Sequence, residues 1–136
     1  MNLRITFVFA LLCCLSACRN LPSDAEAGPL QSLFTESELA VCNEFRESEG
    51  QRTPELLGRL YWILHSAINR QGATKGFLDR NRIIKLLGPP SPYSLSKGEY
   101  EEMAYVVRVP NSASSVLTIS LRKGIAYVVG KGTSIE

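Results

Sequence analysis

The chain has few of the residues that carry most enzyme chemistry. It contains one histidine and four cysteines in 136 residues, and three of the cysteines lie at positions 13, 14 and 18. The histidine, His65, has no Gly-x-Ser-x-Gly elbow to accompany it. Since no adjacent nucleophile and orienting acid can be named, we interpret His65 as a helix-packing residue. The sequence therefore predicts a protein that is not an enzyme.

Neither sign of charge dominates the chain. It has 15 basic and 13 acidic side chains and a net charge of +2. This balance lacks the basic footprint of a nucleic-acid binder, so no nucleic-acid partner is expected. Glu99, Glu101 and Glu102 form a small cluster, which we interpret as the solvated entrance to a strand. Because no side chains have metal-ligand spacing, we expect no metal site and no cofactor.

The N-terminal residues have the pattern of a secretory signal. One arginine precedes an apolar run at residues 5–15, which is too short to span the ~30 Å core of a bilayer as a helix. Leu-Ser-Ala-Cys follows, ending at Cys18, and resembles the lipobox of bacterial lipoproteins at all four positions. We expect residues 1–17 to be removed as a signal peptide. Cys18 would then carry lipid, palmitate included, and anchor the chain to a membrane.

Two other interpretations of these residues stay open. A transmembrane anchor is the weaker one, because the apolar run is short. Ordinary cleavage after Ala27 is the other, since Ala-Glu-Ala has the required form, although Pro22 separates it from the apolar run. Arg19 is not the aspartate that commonly retains lipoproteins in the inner membrane. We therefore expect the outer membrane, with the domain facing the periplasm.

Residues 18–33 predict a flexible tether, because they contain Pro22, Gly28 and Pro29 and show no hydrophobic period. A single folded domain is expected over residues 34–136, and residues 1–33 are expected to contribute little to its stability. After cleavage and lipidation only Cys42 would remain free. No disulfide within the chain is then possible, and we interpret Cys42 as a small packing residue.

Three amphipathic helices are predicted in the first half of the domain. Thr35 opens the first, at residues 36–49, with a capping box. Thr53 opens the second, which carries a broad apolar stripe. Asp79 opens a third, short helix with basic residues outward (Arg80, Arg82 and Lys85), and Gly88 stops it.

The hydrophobic period then changes to two, which predicts strands at residues 103–109, 116–121 and 125–129. The last two strands can be joined by a two-residue loop, Lys123-Gly124, or by a three-residue loop that adds Arg122. We prefer the longer loop because it collects the large apolar residues on one face. The fold class is therefore α+β, with two to three helices packed on one face of a three-stranded antiparallel meander.

The preferred register divides the strand residues between two faces. The inward residues would be Tyr105, Val107, Leu117, Ile119, Leu121, Ile125, Tyr127 and Val129. The outward residues would be Val106, Arg108, Val116, Thr118, Ser120, Ala126 and Val128. Three outward valines exceed what a solvated face requires, so we hypothesise that this face docks a protein. Two alternatives stay open: the first helix covers it, or the valines reflect strand propensity.

A resemblance to a known family rests on a few positions spread over about residues 56–131. A capped helix ending in Leu-Leu-Gly-Pro-Pro, a tyrosine-bearing strand and a later strand entered through Lys-Gly-Ile resemble the BamE-like small outer-membrane lipoprotein A family. The positions that carry the resemblance are Leu87, Gly88, Pro90, Tyr105 and Gly124. It implies the ααβββ fold shared with β-lactamase inhibitory proteins and a membrane-anchored scaffold role. It supplies no binding residues.

The sequence thus leads to two functional hypotheses. The first is an envelope lipoprotein that acts as a protein-binding scaffold or assembly factor, with a membrane and an envelope protein as partners. The alternative is a periplasm-facing inhibitor or ligand-binding module of the same fold.

Overall fold

A computed structural model describes residues 30, 33–72, 76–92 and 94–134. The described elements are α1 (Glu36–Glu47), α2 (Pro54–Arg70), α3 (Arg80–Leu87), β1 (Leu95–Lys97), β2 (Tyr100–Val107), β3 (Ser114–Arg122) and β4 (Ile125–Ser134). The strands form one antiparallel sheet in the order β1-β2-β3-β4. The predicted α+β class is confirmed. The prediction of three strands was wrong, because β1 pairs with the start of β2.

Each helix begins at the residue that the sequence predicts. The Thr35 hydroxyl accepts from the Glu38 N–H at 3.2 Å, and the Glu38 carboxylate accepts from the Thr35 N–H at 2.8 Å, which completes the capping box. Thr53 and Asp79 cap α2 and α3 in the same way with their side-chain oxygens. Gly88, with φ at +84°, ends α3 in a conformation that favours glycine.

The helices cover one face of the sheet, which we call the inner face. α2 packs against β4 and β3, and α1 packs against α2 and α3. Phe45 of α1 meets Tyr105 of β2 edge to face, with ring centroids 5.9 Å apart. The Tyr105 hydroxyl donates to the Gly88 carbonyl at 3.0 Å, so β2 is also tied to the end of α3. Burial raises the pKa of Tyr105, which keeps this donor protonated.

The register of β3 and β4 near their turn differs from the one we preferred. Arg122 pairs with Ile125, so the loop has two residues, Lys123 and Gly124. Both have positive φ, at 53° and 79°, as a type I′ turn requires. The preference for a three-residue loop was therefore wrong.

Further along β4, a bulge shifts the register so that the apolar residues Ile119 and Val129 pair. Leu121 lies opposite Ala126 and Ser120 lies opposite Val128, so Tyr127 is the extra residue. Ala126 is consequently buried and Tyr127 is exposed, which reverses the faces predicted for these two residues. Ile125 is half-buried. The inward positions of Leu117, Ile119, Leu121, Val129, Tyr105 and Val107 are confirmed.

Two further residues lie deeper than predicted. Arg82 was expected to point outward with Arg80 and Lys85 but is buried. Its guanidinium lies 3.6 Å from the Asp79 carboxylate that caps the same helix, which compensates the buried charge. Leu33, which the sequence assigns to the tether, is fully buried in the core. Leu30 packs against that core and its carbonyl accepts from the N–H of Leu33 at 3.0 Å. Within the described residues, the folded domain thus begins at Leu30.

β4 forms one edge of the sheet, and only its first residues are covered there. The Ala126 N–H donates to the Leu78 carbonyl at 2.9 Å. The Gln71 side-chain amide donates to the Ala126 carbonyl at 2.7 Å. Beyond Val128, no strand in the described ranges pairs with this edge.

Candidate functional site

The face of the sheet opposite the helices, which we call the outer face, is formed by three rows of paired residues. The alternation of β2, β3 and β4 aligns them across the strands. The rows are Glu102, Ser120 and Val128; Ala104, Thr118 and Gly130; and Val106, Val116 and Gly132. α1 packs on the inner side, so the first helix does not cover this face, which removes one of the two alternatives above.

Two glycines turn part of the outer face into a groove. Gly130 and Gly132 lie on β4 opposite Thr118 and Val116. A Cβ at Gly130 would lie 2.8 Å from the Thr118 hydroxyl oxygen, and one at Gly132 would enter open space. The resulting groove has a volume of about 570 Å³. Its floor therefore consists of bare backbone flanked by half-buried valines.

Polar groups border this groove on two sides. Glu102 lies at one end and Thr133 and Ser134 at the other. The loop before β1 is held against β2 at the side of the groove. The Ser91 N–H donates to the Ala104 carbonyl at 2.7 Å, and the Ala104 N–H donates to the Ser94 hydroxyl at 3.1 Å. Apolar side chains near the centre and polar groups at the rim are the usual arrangement of a protein-binding surface.

The structure brings most of the predicted protein-binding residues together. Val106, Val116 and Thr118 line the groove. Ser120 and Val128 lie beside it on the same face, and Val128 is 47% exposed. Arg108 lies apart, after the end of β2, in a second shallow cavity formed by residues 108–114.

Sequence reasoning missed several residues of the groove. Alternation counted back from Tyr105 would have placed Ala104 and Glu102 outward. Gly130 and Gly132 were missed because the predicted strand ended at residue 129, whereas β4 continues to Ser134. Glycines weaken a strand pattern, so this extension of β4 could not be predicted from alternation.

A second exposed surface lies on α2, where Tyr61, Trp62 and His65 form what we call the aromatic patch. The ring centroids of Tyr61 and Trp62 are 5.1 Å apart, and that of His65 lies 6.0 Å from Trp62 and 6.1 Å from Tyr61. A ring nitrogen of His65 lies 3.4 Å from the Asn69 amide.

Other candidate chemistry is sparse in the part of the chain that the structure describes. No group of three or more His, Cys, Asp or Glu side chains there could hold a metal ion. Cys42 is fully buried, and burial, together with the charge of Glu38, raises the pKa of its thiol to about 12. Cys18 lies outside the described residues. None of the described helices is long and apolar enough to cross a membrane.

Comparisons of the chain with family models, with curated proteins and with solved structures found no match. The candidate site is therefore defined by its geometry alone: a grooved outer face on the sheet, and a separate aromatic patch on the opposite, helical side.

Proposed function

We propose that the protein is a membrane-anchored lipoprotein of the bacterial envelope that binds another envelope protein through the outer face and acts as a scaffold or assembly factor. The observation that carries this proposal is the uncovered groove between β2 and β4. One-sided antiparallel sheets usually present polar side chains to water. Here the outward positions hold Val106 and Val116 around a backbone floor, and Val128 beside the groove on the same face.

The anchoring half of the proposal rests on the Leu-Ser-Ala-Cys sequence that ends at Cys18. Diacylglycerol and acyl chains on this cysteine would hold the domain at the periplasmic side of the outer membrane, since more than one chain gives stable anchoring. The resemblance to the BamE-like lipoproteins supports the same role, because it implies helices followed by an antiparallel sheet on a lipid anchor.

An inhibitor or ligand-binding module remains the alternative function. A volume of about 570 Å³ lies within the range of small-molecule sites. The groove is nevertheless open along the sheet, whereas small ligands are usually mostly enclosed. An extended protein surface fits such an open groove better.

The test is a pull-down from detergent-solubilised membranes with the double variant Thr118→Arg, Val128→Glu. Both positions lie on the outer face, so the variant should keep its melting temperature and lose a stoichiometric envelope-protein partner. The matched control is Asn81→Arg with Gln51→Glu, which makes the same charge changes at exposed positions away from the sheet.

The outcomes separate the two functions. A partner lost by the first variant and kept by the control supports the scaffold. A folded double variant that still captures the wild-type partner would place the interface elsewhere. Capture of a small molecule instead, detected by native mass spectrometry, would favour the alternative.

A further inference from the structure

The aromatic patch on α2 is unusual for a surface that only meets water. Trp62 is 65% exposed and is the chain's single tryptophan. Tyr61 is partly buried and packed against the core, and both it and His65 contact the Trp62 ring. Edge-to-face ring pairs at these centroid separations attract each other. Trp62 is therefore held in its exposed position by two neighbouring rings.

The three rings share a chemical character that suits the boundary between lipid and water. Each has an apolar body and one polar group, the indole N–H, the phenol hydroxyl or the imidazole nitrogens. Tryptophan and tyrosine are enriched at membrane interfaces for this reason. The patch faces away from the sheet, because the buried residues of α2, Leu57, Leu60 and Leu64 among them, occupy the other side of the helix.

The chain enters the described part of the domain at Leu30, near the helix that carries the aromatic patch. The carbonyl of Leu30 accepts from the N–H groups of Leu33 and Phe34, immediately before α1. The first turn of α1 is joined to the last turn of α2 by the ion pair between Glu38 and Arg70, whose atoms lie 2.6 Å apart. Trp62 lies two turns back along α2, about 12 Å away at 1.5 Å per residue.

The length of the intervening chain sets a limit on the distance to the membrane. Cys18 and Leu30 are twelve residues apart in the sequence, which corresponds to at most about 40 Å when fully extended. A domain of this size has a radius of gyration of roughly 13 Å. A tether of this length lets the domain, and with it the aromatic patch, reach the lipid surface.

We propose that the aromatic patch rests on the membrane that holds Cys18, with the Trp62 ring in the headgroup layer. This orientation turns the outer face of the sheet toward the aqueous compartment, where a protein partner can reach it. The inference rests on the lipid anchor of the proposed function and adds the way in which the domain is oriented.

The experiment uses the natural fluorescence of Trp62. The lipidated protein that begins at Cys18 is purified in detergent and reconstituted into phosphatidylethanolamine–phosphatidylglycerol vesicles, with or without bromine on the acyl chains. We expect the Trp62 emission to shift to shorter wavelength in vesicles and to lose most of its intensity with the brominated lipid. Co-flotation of protein and vesicles is measured in the same samples.

The matched control moves the fluorophore to the other side of the molecule. In the variant Trp62→Phe with Tyr100→Trp, the new indole replaces a side chain that is 50% exposed and has the outward alternation of β2. Its emission should be unaffected by bromine.

Each other result overturns the inference. Protein that floats with the vesicles while Trp62 stays unquenched would refute the membrane contact and leave the anchor standing. Such an exposed Trp62 would then be available to a protein partner. Equal quenching of both probes would refute the orientation. Protein that does not float would refute the anchor and the inference together.

Discussion

Leu33 has no solvent exposure although it precedes the first helix. It lies in the same cluster as Phe34 and Phe45, and Leu30 packs against that cluster. The sequence suggested a tether here because Pro22, Gly28 and Pro29 interrupt the preceding residues, which show no hydrophobic period. A leucine in such a stretch gives no periodic signal, and its burial depends on contacts with distant residues that a local pattern does not reveal.

Replacing Leu33 with alanine should destabilise the domain strongly. Loss of a fully buried leucine and the cavity it leaves cost about 2–5 kcal/mol. We expect the midpoint of urea unfolding, followed by circular dichroism, to fall while the slope of the transition stays unchanged.

The matched control for this change is Leu95→Ala. Leu95 lies in β1 and is 68% exposed, so the same substitution should shift the midpoint little. Equal effects of the two substitutions would contradict the packing of Leu33 and return it to the tether.

At the scale of the elements, local signals were predicted well and long-range ones were not. The caps at Thr35, Thr53 and Asp79 were predicted because a cap is set by residues within one helical turn. The β3–β4 register was predicted wrongly because apolar residues were matched across an unbroken ladder. Because the bulge at Tyr127 shifts the register by one residue, the turn can have two residues while Val129 still points inward. β1 was missed because its three residues are all exposed.

In the candidate site, too, local features were predicted and features that depend on strand pairing were not. Val106, Val116 and Thr118 were placed outward correctly, since alternation within a strand determines the face. The groove was not predicted, because it depends on the pairing of Gly130 with Thr118 and of Gly132 with Val116. That pairing follows from the bulge.

α1 packs against α2, and the ion pair between Glu38 and Arg70 also joins the two helices. Two nitrogens of Arg70 donate to the two oxygens of Glu38, at 2.6 and 3.1 Å. These hydrogen bonds hold the pKa of the Glu38 carboxyl below its usual value, against the opposing effect of burial. A depressed pKa means that the charged form stabilises the fold, and that this contribution is lost as pH falls through the folded-state pKa.

Glu38→Gln should therefore destabilise the protein at neutral pH by about 1 kcal/mol, as expected for a partly exposed pair. Glutamine still completes the capping box with Thr35, so the helix start is preserved. The difference in unfolding free energy between wild type and variant should shrink as the pH falls below the ordinary pKa of a glutamate and through the lowered pKa of Glu38. Chemical denaturation at several pH values measures it, and a difference independent of pH would contradict the role of the charge.

On the scale of the whole molecule, the helices separate two surfaces of different composition. The outer face has a groove between valines, and the aromatic patch lies on the far side of α2. A protein that bridges a membrane and a partner requires two such surfaces on opposite sides. The layered α+β fold provides them without any change of shape.

The number of reactive thiols in the mature protein offers a test of the anchor. Of the four cysteines, the proposal removes two with the signal peptide and blocks Cys18 with lipid. Cys42 remains, fully buried, with burial raising its thiol pKa to about 12. We expect the membrane-extracted protein to show no thiol reacting with Ellman's reagent when folded, and one in guanidinium.

A count of two or more thiols in guanidinium would show that Cys18 is unmodified or that the leader is retained. The variant Cys18→Ala serves as the control, since it should lose incorporation of radiolabelled palmitate while the protection of Cys42 in the folded protein is unchanged.

The uncovered stretch of β4 has a consequence for how many copies can coexist on one surface. An open strand edge is a template on which other chains polymerise. Lys131 lies between Gly130 and Gly132 in this stretch, and its ammonium reaches α2, where a Cβ on Gly58 would lie 3.5 Å away. Glycines make poor fibril-forming segments, and a lysine on an edge disfavours pairing with an identical strand. If the chain is anchored as proposed, copies crowded in the plane of the membrane, where local concentration is high, would thereby be kept from aggregating through β4.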